Sequence, residues 1–201
     1  MGRDQGRVGM SSLDVKADLH TYLRGARETL VWKLDGLGEY EIRRPMAPTG
    51  TNLLGLVKHS TATHLRYFGE VFGRSDSRSP TWLSDDPNAE FWATADETRN
   101  DIIASYHRSW ELADATIDEL SLDAVGRVWW WGDSTVTLHG VLVHVTAETQ
   151  RHAGHADIIR ELIDGSAGLL EVHDNLHISD PAERGRFFGR VDAAARLASG
   201  H

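Results

Sequence analysis

An all-α fold, in which four long helices pack up and down as one bundle, is predicted by three features of the sequence. Four segments of about 20–28 residues carry apolar residues at the spacing of one helix face. The segments between them are rich in Gly, Pro, Ser and Asp, which end helices and form loops. No strand-like alternation of useful length is present. The sequence therefore predicts an up-down four-helix bundle with long loops and a short C-terminal extension.

The first helix is predicted from Ser12 to Leu37, because leucine and valine recur there at helical spacing. Ser11 or Ser12 is placed to cap its N-terminus. Residues 1–11 are polar and rich in glycine, and they are predicted to be a flexible lead-in. Two prolines and a glycine then mark residues 43–52 as a loop.

The second helix is predicted to begin at Leu53, after a capping Thr51 or Asn52, and to end near Gly73. Residues 74–97 follow as a long surface loop rich in Ser, Asp and Pro. Aromatic side chains are expected to hold this loop against the body of the protein, which favours a functional loop over a disordered one. They are Trp82, Phe91 and Trp92.

The third helix is predicted over residues 102–120, and residues 125–134 form a connector that contains three consecutive tryptophans. The fourth helix is predicted from about Thr135 to Ile163, with Gly165 suited to its C-terminus. Residues 12–168 then form the bundle. Residues 169–201 form a C-terminal extension with one short helical pattern, from Arg186 to Leu197.

Composition excludes several classes of protein. With 201 residues, 40% of them hydrophobic, the chain is long enough to bury a core without disulfides. A net charge of −9 and the lack of any Lys/Arg-rich run argue against a nucleic-acid partner. No cysteine is present, so any thiol chemistry needs a thiol from outside. Because no signal peptide or membrane span is evident, we expect a cytoplasmic protein with no membrane partner.

Polar residues continue the apolar face of the fourth helix. Glu148 and His152 lie one turn apart on this face, a spacing that lets two side chains bind one ion. Burying a carboxylate beside imidazoles is costly unless a cation compensates it. His144 lies one turn earlier and could contribute, whereas His155 is less well aligned.

A third ligand should come from another helix, leaving the fourth position of a tetrahedral site open. The second helix offers His59, in the middle of an apolar run, and His64, which could extend toward an edge. Position favours His59. By spacing alone, a metal site and a hydrogen-bonded polar cluster remain equally open, because E-x-x-x-H is a weak pattern. The remaining histidines are expected on the surface or in loops: His20, His107, His139, His173, His177 and His201.

Two segments resemble the DinB-like superfamily of metal-binding four-helix bundles: "LLGLVKHSTATHLRYF" and "LHGVLVHVTAETQRHAGHADIIRELIDG". The run "ETQRHAGHADIIRE" looks most like the branch that includes mycothiol-dependent maleylpyruvate isomerase and related thiol transferases. The resemblance covers about residues 12–165. It implies that His59, Glu148 and His152 are the metal ligands, and that His144 is at a non-ligand position.

The resemblance also implies a zinc-like ion, with nickel or iron in some members, and mycothiol or a similar low-molecular-weight thiol as cosubstrate. The thiol would attack an electrophilic small molecule, and a homodimer is compatible with the family. His155 is a candidate for supporting a ligand or accepting a proton, and His64 is a weaker catalytic candidate. The candidate pocket walls are Trp82, Trp92 and Trp130.

Two other functions stay open at this point. A metal-dependent hydrolase or isomerase that needs no thiol would use the same ligands with water in the open position. Alternatively, the chain would be a non-catalytic, metal-binding stress-response module in which the ion only secures the bundle.

Overall fold

The computed structural model describes residues 14–74, 80, 86, 88–171 and 174–199. The described residues are mostly helical, at 66% helix, and they include one small two-stranded sheet. The helices of the described part are α1 (Val15–Trp32), α2 (Glu39–Arg43), α3 (Leu53–His64), α4 (Arg99–Glu119), α5 (Leu138–Asp164) and α6 (Pro181–Ala198). The strands are β1 (Val125–Val128) and β2 (Ser134–Thr137).

Helix α1 begins later than predicted. Asp14 is its N-cap, and the Asp14 carboxylate accepts a hydrogen bond from the backbone N–H of Ala17. The predicted caps at 11 and 12, and the predicted lead-in over 1–11, lie outside the described residues. The helix also ends earlier, at Trp32, and the short α2 that follows was not predicted.

Helix α3 begins where the sequence predicts, because the Asn52 side chain accepts a hydrogen bond from the N–H of Gly55. The helical path then continues through a π-helical turn, Leu65–Gly69, and a 3₁₀ turn, Glu70–Phe72. It ends at Gly73, as predicted, and Gly73 has the left-handed φ of 66° that is common where a helix ends.

The two-stranded sheet is a small addition to the predicted all-α fold, and it corrects the predicted start of the fourth helix near Thr135. Strands β1 and β2 pair antiparallel, with Val125 opposite Thr137 and Val128 opposite Ser134. Thr135 therefore lies in β2, and α5 begins at Leu138. Each strand has only four residues, and so short an alternation of apolar and polar residues does not distinguish a strand from a loop in the sequence.

Helix α1 packs against α5, and α3 packs against both α4 and α5. The apolar side chains between them form two clusters. One contains Leu30, Leu54, Val57, Ile102, Ala156 and Ile159. The other contains Leu23, Phe68, Ala113, Ile117, Val141 and Val145. Along α3 and α5, most of the residues that separate the two clusters are polar, so any site built on them lies between two packed apolar cores.

Helix α6 begins at Pro181, five residues before the predicted Arg186, because Asp180 caps it through the N–H of Glu183. None of its residues is buried. Across the described part of the chain, no helix is both long and apolar enough to cross a membrane.

Candidate metal centre

Three side chains from two helices meet between the two apolar clusters. His59 lies on α3, and Glu148 and His152 lie one turn apart on α5. Each offers one ligand atom, and these atoms lie within 4.8 Å of one another. His152 Nε2 is 3.2 Å from Glu148 Oε2, and the centroids of the His59 and His152 rings are 4.8 Å apart. The structure therefore brings together the three residues that the family resemblance implies as ligands.

The His152 ring, which in its neutral form has one lone pair and one N–H, is left unsatisfied within the described residues. Both ring nitrogens are buried, and neither has a hydrogen-bond partner among the described residues; the 3.2 Å approach to Glu148 is not aligned as a hydrogen bond. Burial, together with the charge of His59, lowers the pKa of His152 to about 4. The ring is therefore neutral at neutral pH. A neutral imidazole, a carboxylate and a second imidazole together form a set of ligands that a divalent cation satisfies.

Glu90 orients His59 from the loop that precedes α4. Glu90 Oε1 lies 3.2 Å from His59 Nδ1, and Arg66 Nη1 donates to Glu90 Oε2 at 2.7 Å. Burial alone would raise the pKa of Glu90, but the hydrogen bond from His59 and the charge of Arg66 outweigh it and lower the pKa. An ionised Glu90 accepts the Nδ1 proton of His59. The free lone pair of His59 is then on Nε2, the arrangement typical of metal-binding histidines.

The segment that carries Glu90 lies directly on α3 because of a glycine. A Cβ at Gly55 would stand 2.0 Å from the carbonyl oxygen of Phe91, so only glycine fits there. Asn52 Nδ2 donates to the same carbonyl oxygen at 3.2 Å. The Phe91 ring stacks on the His59 ring, with centroids 4.9 Å apart. Residues 90 and 91 thus hold His59 from its edge and from its face.

A cleft of about 350 Å³ opens onto His59 and His152. Residues 49–52, Leu56 and Phe91 are among its walls, so hydroxyl, amide and apolar groups all line it. A cleft of this size and mixed lining suits a small organic molecule.

The other two histidines of the fourth predicted helix occupy different places. His155 is exposed and lines the cleft, with its ring centroid 5.6 Å from that of His152. His144 lies one turn before Glu148 and packs against Tyr67 and Trp131 instead. The described contacts therefore place His155 next to the candidate site and His144 in an aromatic cluster.

The sequence suggested that His64 could extend toward an edge of the bundle, but it does not. It is fully buried, its Nε2 accepts a hydrogen bond from Arg27 Nε at 3.0 Å, and its Nδ1 bonds the carbonyl oxygen of Ser60. Burial lowers the pKa of His64 well below its ordinary value. Arg27 also pairs with Asp114 at 2.6 Å. His64 therefore belongs to a buried polar network that compensates the Arg27 charge, and it does not line the cleft.

Two of the three predicted tryptophan walls, Trp92 and Trp130, do not line the cleft. Trp92 is half exposed and Trp130 contacts Tyr67, and neither lines the cleft; Trp82 lies outside the described residues. Phe91 takes the role that the sequence analysis gave to its neighbour Trp92. Glu90 and Arg66 were not identified from sequence, and the only available signal was an acidic residue beside an aromatic in a long loop.

Comparison with known proteins identifies the family. A family model described as mycothiol-S-transferase matches residues 18–165. This chain belongs to the mycothiol S-transferase family. The match agrees with the resemblance to the DinB-like superfamily and its mycothiol-dependent branch.

The part matched to the mycothiol S-transferase family contains His59, Glu90, Glu148 and His152, and it ends before α6. A crystal structure of a conserved protein from Enterococcus faecalis is similar in fold, with a TM-score of 0.55 and 18% sequence identity. The alignment covers 77% of this chain and 100% of that chain. No match was found among the curated proteins.

Proposed function

We propose that this chain is a metal-dependent thiol S-transferase in which His59, Glu148 and His152 hold a divalent ion. The observation that supports this most directly is the convergence of the three ligand atoms in a member of the mycothiol S-transferase family. Two imidazole nitrogens and one carboxylate oxygen form a ligand set that zinc accepts, with a fourth position left open. Zinc is the ion we propose, with nickel and iron as alternatives.

One of the three ligand-atom distances matches a tetrahedral site directly, and the whole set lies within 4.8 Å. Ligand atoms around a tetrahedral zinc, each ~2.0–2.1 Å from the ion, stand ~3.3 Å apart. The 3.2 Å between His152 Nε2 and Glu148 Oε2 already has this value. A bound ion would also give a partner to one of the two ring nitrogens of His152 that lack a hydrogen bond.

Such a cation, when bound, lowers the pKa of a coordinated thiol so that thiolate forms at neutral pH. The chain itself has no cysteine, so the sulfur must come from a second molecule, for which we propose mycothiol or a similar low-molecular-weight thiol. Glu90 and Phe91 keep His59 in one tautomer and one orientation. We propose that His155, which is exposed and lines the cleft, accepts the thiol proton.

The second substrate is proposed to be a small electrophile that enters the cleft beside His155. The thiolate sulfur forms a bond to the electrophilic carbon, and the leaving group departs with the electron pair of the bond that breaks. Leu56 and Phe91 cover one side of the cleft with apolar surface, which favours an uncharged organic molecule over a strongly hydrated one.

We also propose that α1, α3, α4 and α5 form the up-down bundle of the DinB-like superfamily, with residues 12–168 as the metal-binding domain and 169–201 as an extension. The contacts of α1 with α5, and of α3 with α4 and α5, support this arrangement. The homodimer and the cytoplasmic location stay predictions.

The test combines metal content with turnover. Protein purified without a histidine tag is analysed for metal, and about one ion per chain is expected. The same protein is then mixed with monochlorobimane, which loses chloride to a thiolate, in the presence of mycothiol, of cysteine, or of no thiol. Mycothiol-dependent conjugation above the uncatalysed rate supports the proposal. Hydrolysis of ester or amide test substrates without any thiol supports the hydrolase alternative, and bound metal without turnover supports the non-catalytic module; either result contradicts the proposal.

A further inference from the structure

Helix α6 is amphipathic but has nothing packed against its apolar face. Phe187, Val191, Ala195 and Ala198 follow one another at helical spacing, and Phe188 lies beside them. None of these residues is buried, and Phe188 is 74% exposed. Gly185 and Gly189 in the same helix each cost about 1 kcal/mol of helix stability relative to alanine. A helix of this length and composition needs packing from outside to be stable in water.

A second exposed apolar stripe runs along the outer face of α5. It contains Val143, Ala147, Gly154, Ile158 and Leu162, all on one side of the helix and all exposed, and the exposed Gln150 and Arg151 interrupt it between Ala147 and Gly154. Ile158 is 62% exposed and Leu162 is 67% exposed. Ala147 and Gly154 leave room for another helix to approach closely. Within the described residues, neither this stripe nor that of α6 is covered by the chain itself.

Charge favours a second copy of this chain as the partner of α6. The helix carries four arginines against Glu183 and Asp192, a net charge of +2, and the whole chain carries −9. The other residues therefore carry −11. Glu161 is exposed between Ile158 and Leu162 on α5, which places an acidic group beside the apolar stripe. A basic helix is attracted to such an acidic body, which gives α6 and a second copy complementary charge.

The exposed area is sufficient for a stable contact. Five apolar side chains on α6 and four on α5 together expose about 700 Å² per copy, and the largest shares come from Phe188, Leu162 and Ile158. If each copy donates its α6 to the α5 of the other, at most about 1,400 Å² of this surface is buried, an upper bound that lies within the ~1,200–2,000 Å² of specific interfaces. Such a reciprocal exchange has two-fold symmetry and closes at two copies.

We propose that α6 is a dimerisation arm, which packs its Phe187–Phe188–Val191 face onto the Ile158–Leu162 stripe of α5 in a second copy. The arm lies outside the residues matched by the family model, so this interface would be an addition to the family domain. It does not depend on the metal or on the reaction proposed above.

The experiment measures association by sedimentation velocity over a concentration series of the full chain. Phe188→Glu alters the arm and Leu162→Glu alters the stripe, and each is expected to weaken dimerisation at least tenfold. Val15→Glu is the matched control, because Val15 is 55% exposed at the start of α1 and lies on neither surface. Circular dichroism checks that each variant keeps its helix content.

A mixture of the two variants makes the test specific for exchange. A mixed pair keeps one unaltered contact of α6 with α5, so an equimolar mixture is expected to sediment faster than either variant alone. If the mixture stays monomeric while the wild type is a dimer, α6 does not pack on α5 and the proposal is overturned.

Two further results would also overturn it. One is a wild-type chain that stays monomeric throughout the series. The other is a monomer that co-sediments with phosphatidylglycerol vesicles and loses this binding on Phe188→Glu, which would make α6 a membrane-surface helix.

Discussion

Replacing Glu90 with alanine is expected to weaken metal binding although all three proposed ligands are kept. Glu90 Oε1 accepts the Nδ1 proton of His59 at 3.2 Å, and the side chain is only 11% exposed. Hydrogen bonds to charged groups contribute about 1.5–3 kcal/mol. Because 3.2 Å is longer than the ~2.7–2.9 Å of the strongest charge-assisted bonds, the lower part of that range applies here. A loss of ~1.5–2 kcal/mol corresponds to an increase in Kd of roughly 10–30-fold.

A graded series separates orientation from charge. Glu90→Gln keeps an oxygen that can accept the Nδ1 proton but loses the charge, so its effect on Kd should be smaller than that of Glu90→Ala. Glu70→Ala is the matched control, because Glu70 is an exposed acid in the 3₁₀ turn that follows the π-helical turn.

The assay is competition for zinc against a chromophoric chelator, with thermal unfolding of the metal-free protein as a check on folding. A Glu90→Ala variant that is folded and binds zinc as tightly as the wild type would show that the contact of Glu90 with His59 does not orient a metal ligand.

Three other changes have distinct expected outcomes. His152→Ala should lose most of the bound metal, whereas His144→Ala, one turn outside the candidate site, should keep it; equal metal content in elemental analysis would refute the ligand assignment. Gly55→Ala should lower the free energy of unfolding by about 1–3 kcal/mol, because its Cβ would meet a backbone carbonyl oxygen at 2.0 Å, and chemical denaturation measures this loss. Asp114→Asn should destabilise the protein by about 1–2 kcal/mol at neutral pH. The loss is modest because the Asp114 side chain is 36% exposed and water screens its ion pairs. Burial alone would raise the pKa of Asp114, but His20 and Arg27 lower it to about 2. The stability that Asp114 contributes is therefore complete above its ordinary pKa near 3.8 and is lost as pH falls toward 2. The free energies of unfolding of the wild type and of Asp114→Asn should therefore converge in acid.

The long helices and the pair on α5 could be predicted because their signals are local. Periodic apolar residues marked the positions of α1, α3, α4 and α5, and an i, i+4 spacing placed Glu148 beside His152. His59 came from the resemblance and from its position in an apolar run. Its distance from α5 depends on how the two helices pack, which no local pattern contains.

What was missed depends on contacts between segments far apart in the chain. Glu90 reaches His59 only because the loop before α4 folds back onto Gly55, and a loop has no periodicity from which its path could be read. His64 seemed able to reach an edge until its partner Arg27, on another helix, was known. The hairpin was missed because four residues per strand do not produce a readable alternation.

The loop contacts of His59 couple two parts of the protein thermodynamically. Glu90 and Phe91 favour one orientation of the His59 ring, so any ligand that binds through this ring also favours the loop conformation that supplies them. By the same coupling, a change in how readily the loop leaves α3 changes the affinity of the site. Evolution could therefore adjust the affinity of this centre through substitutions in a surface loop while His59, Glu148 and His152 stay the same.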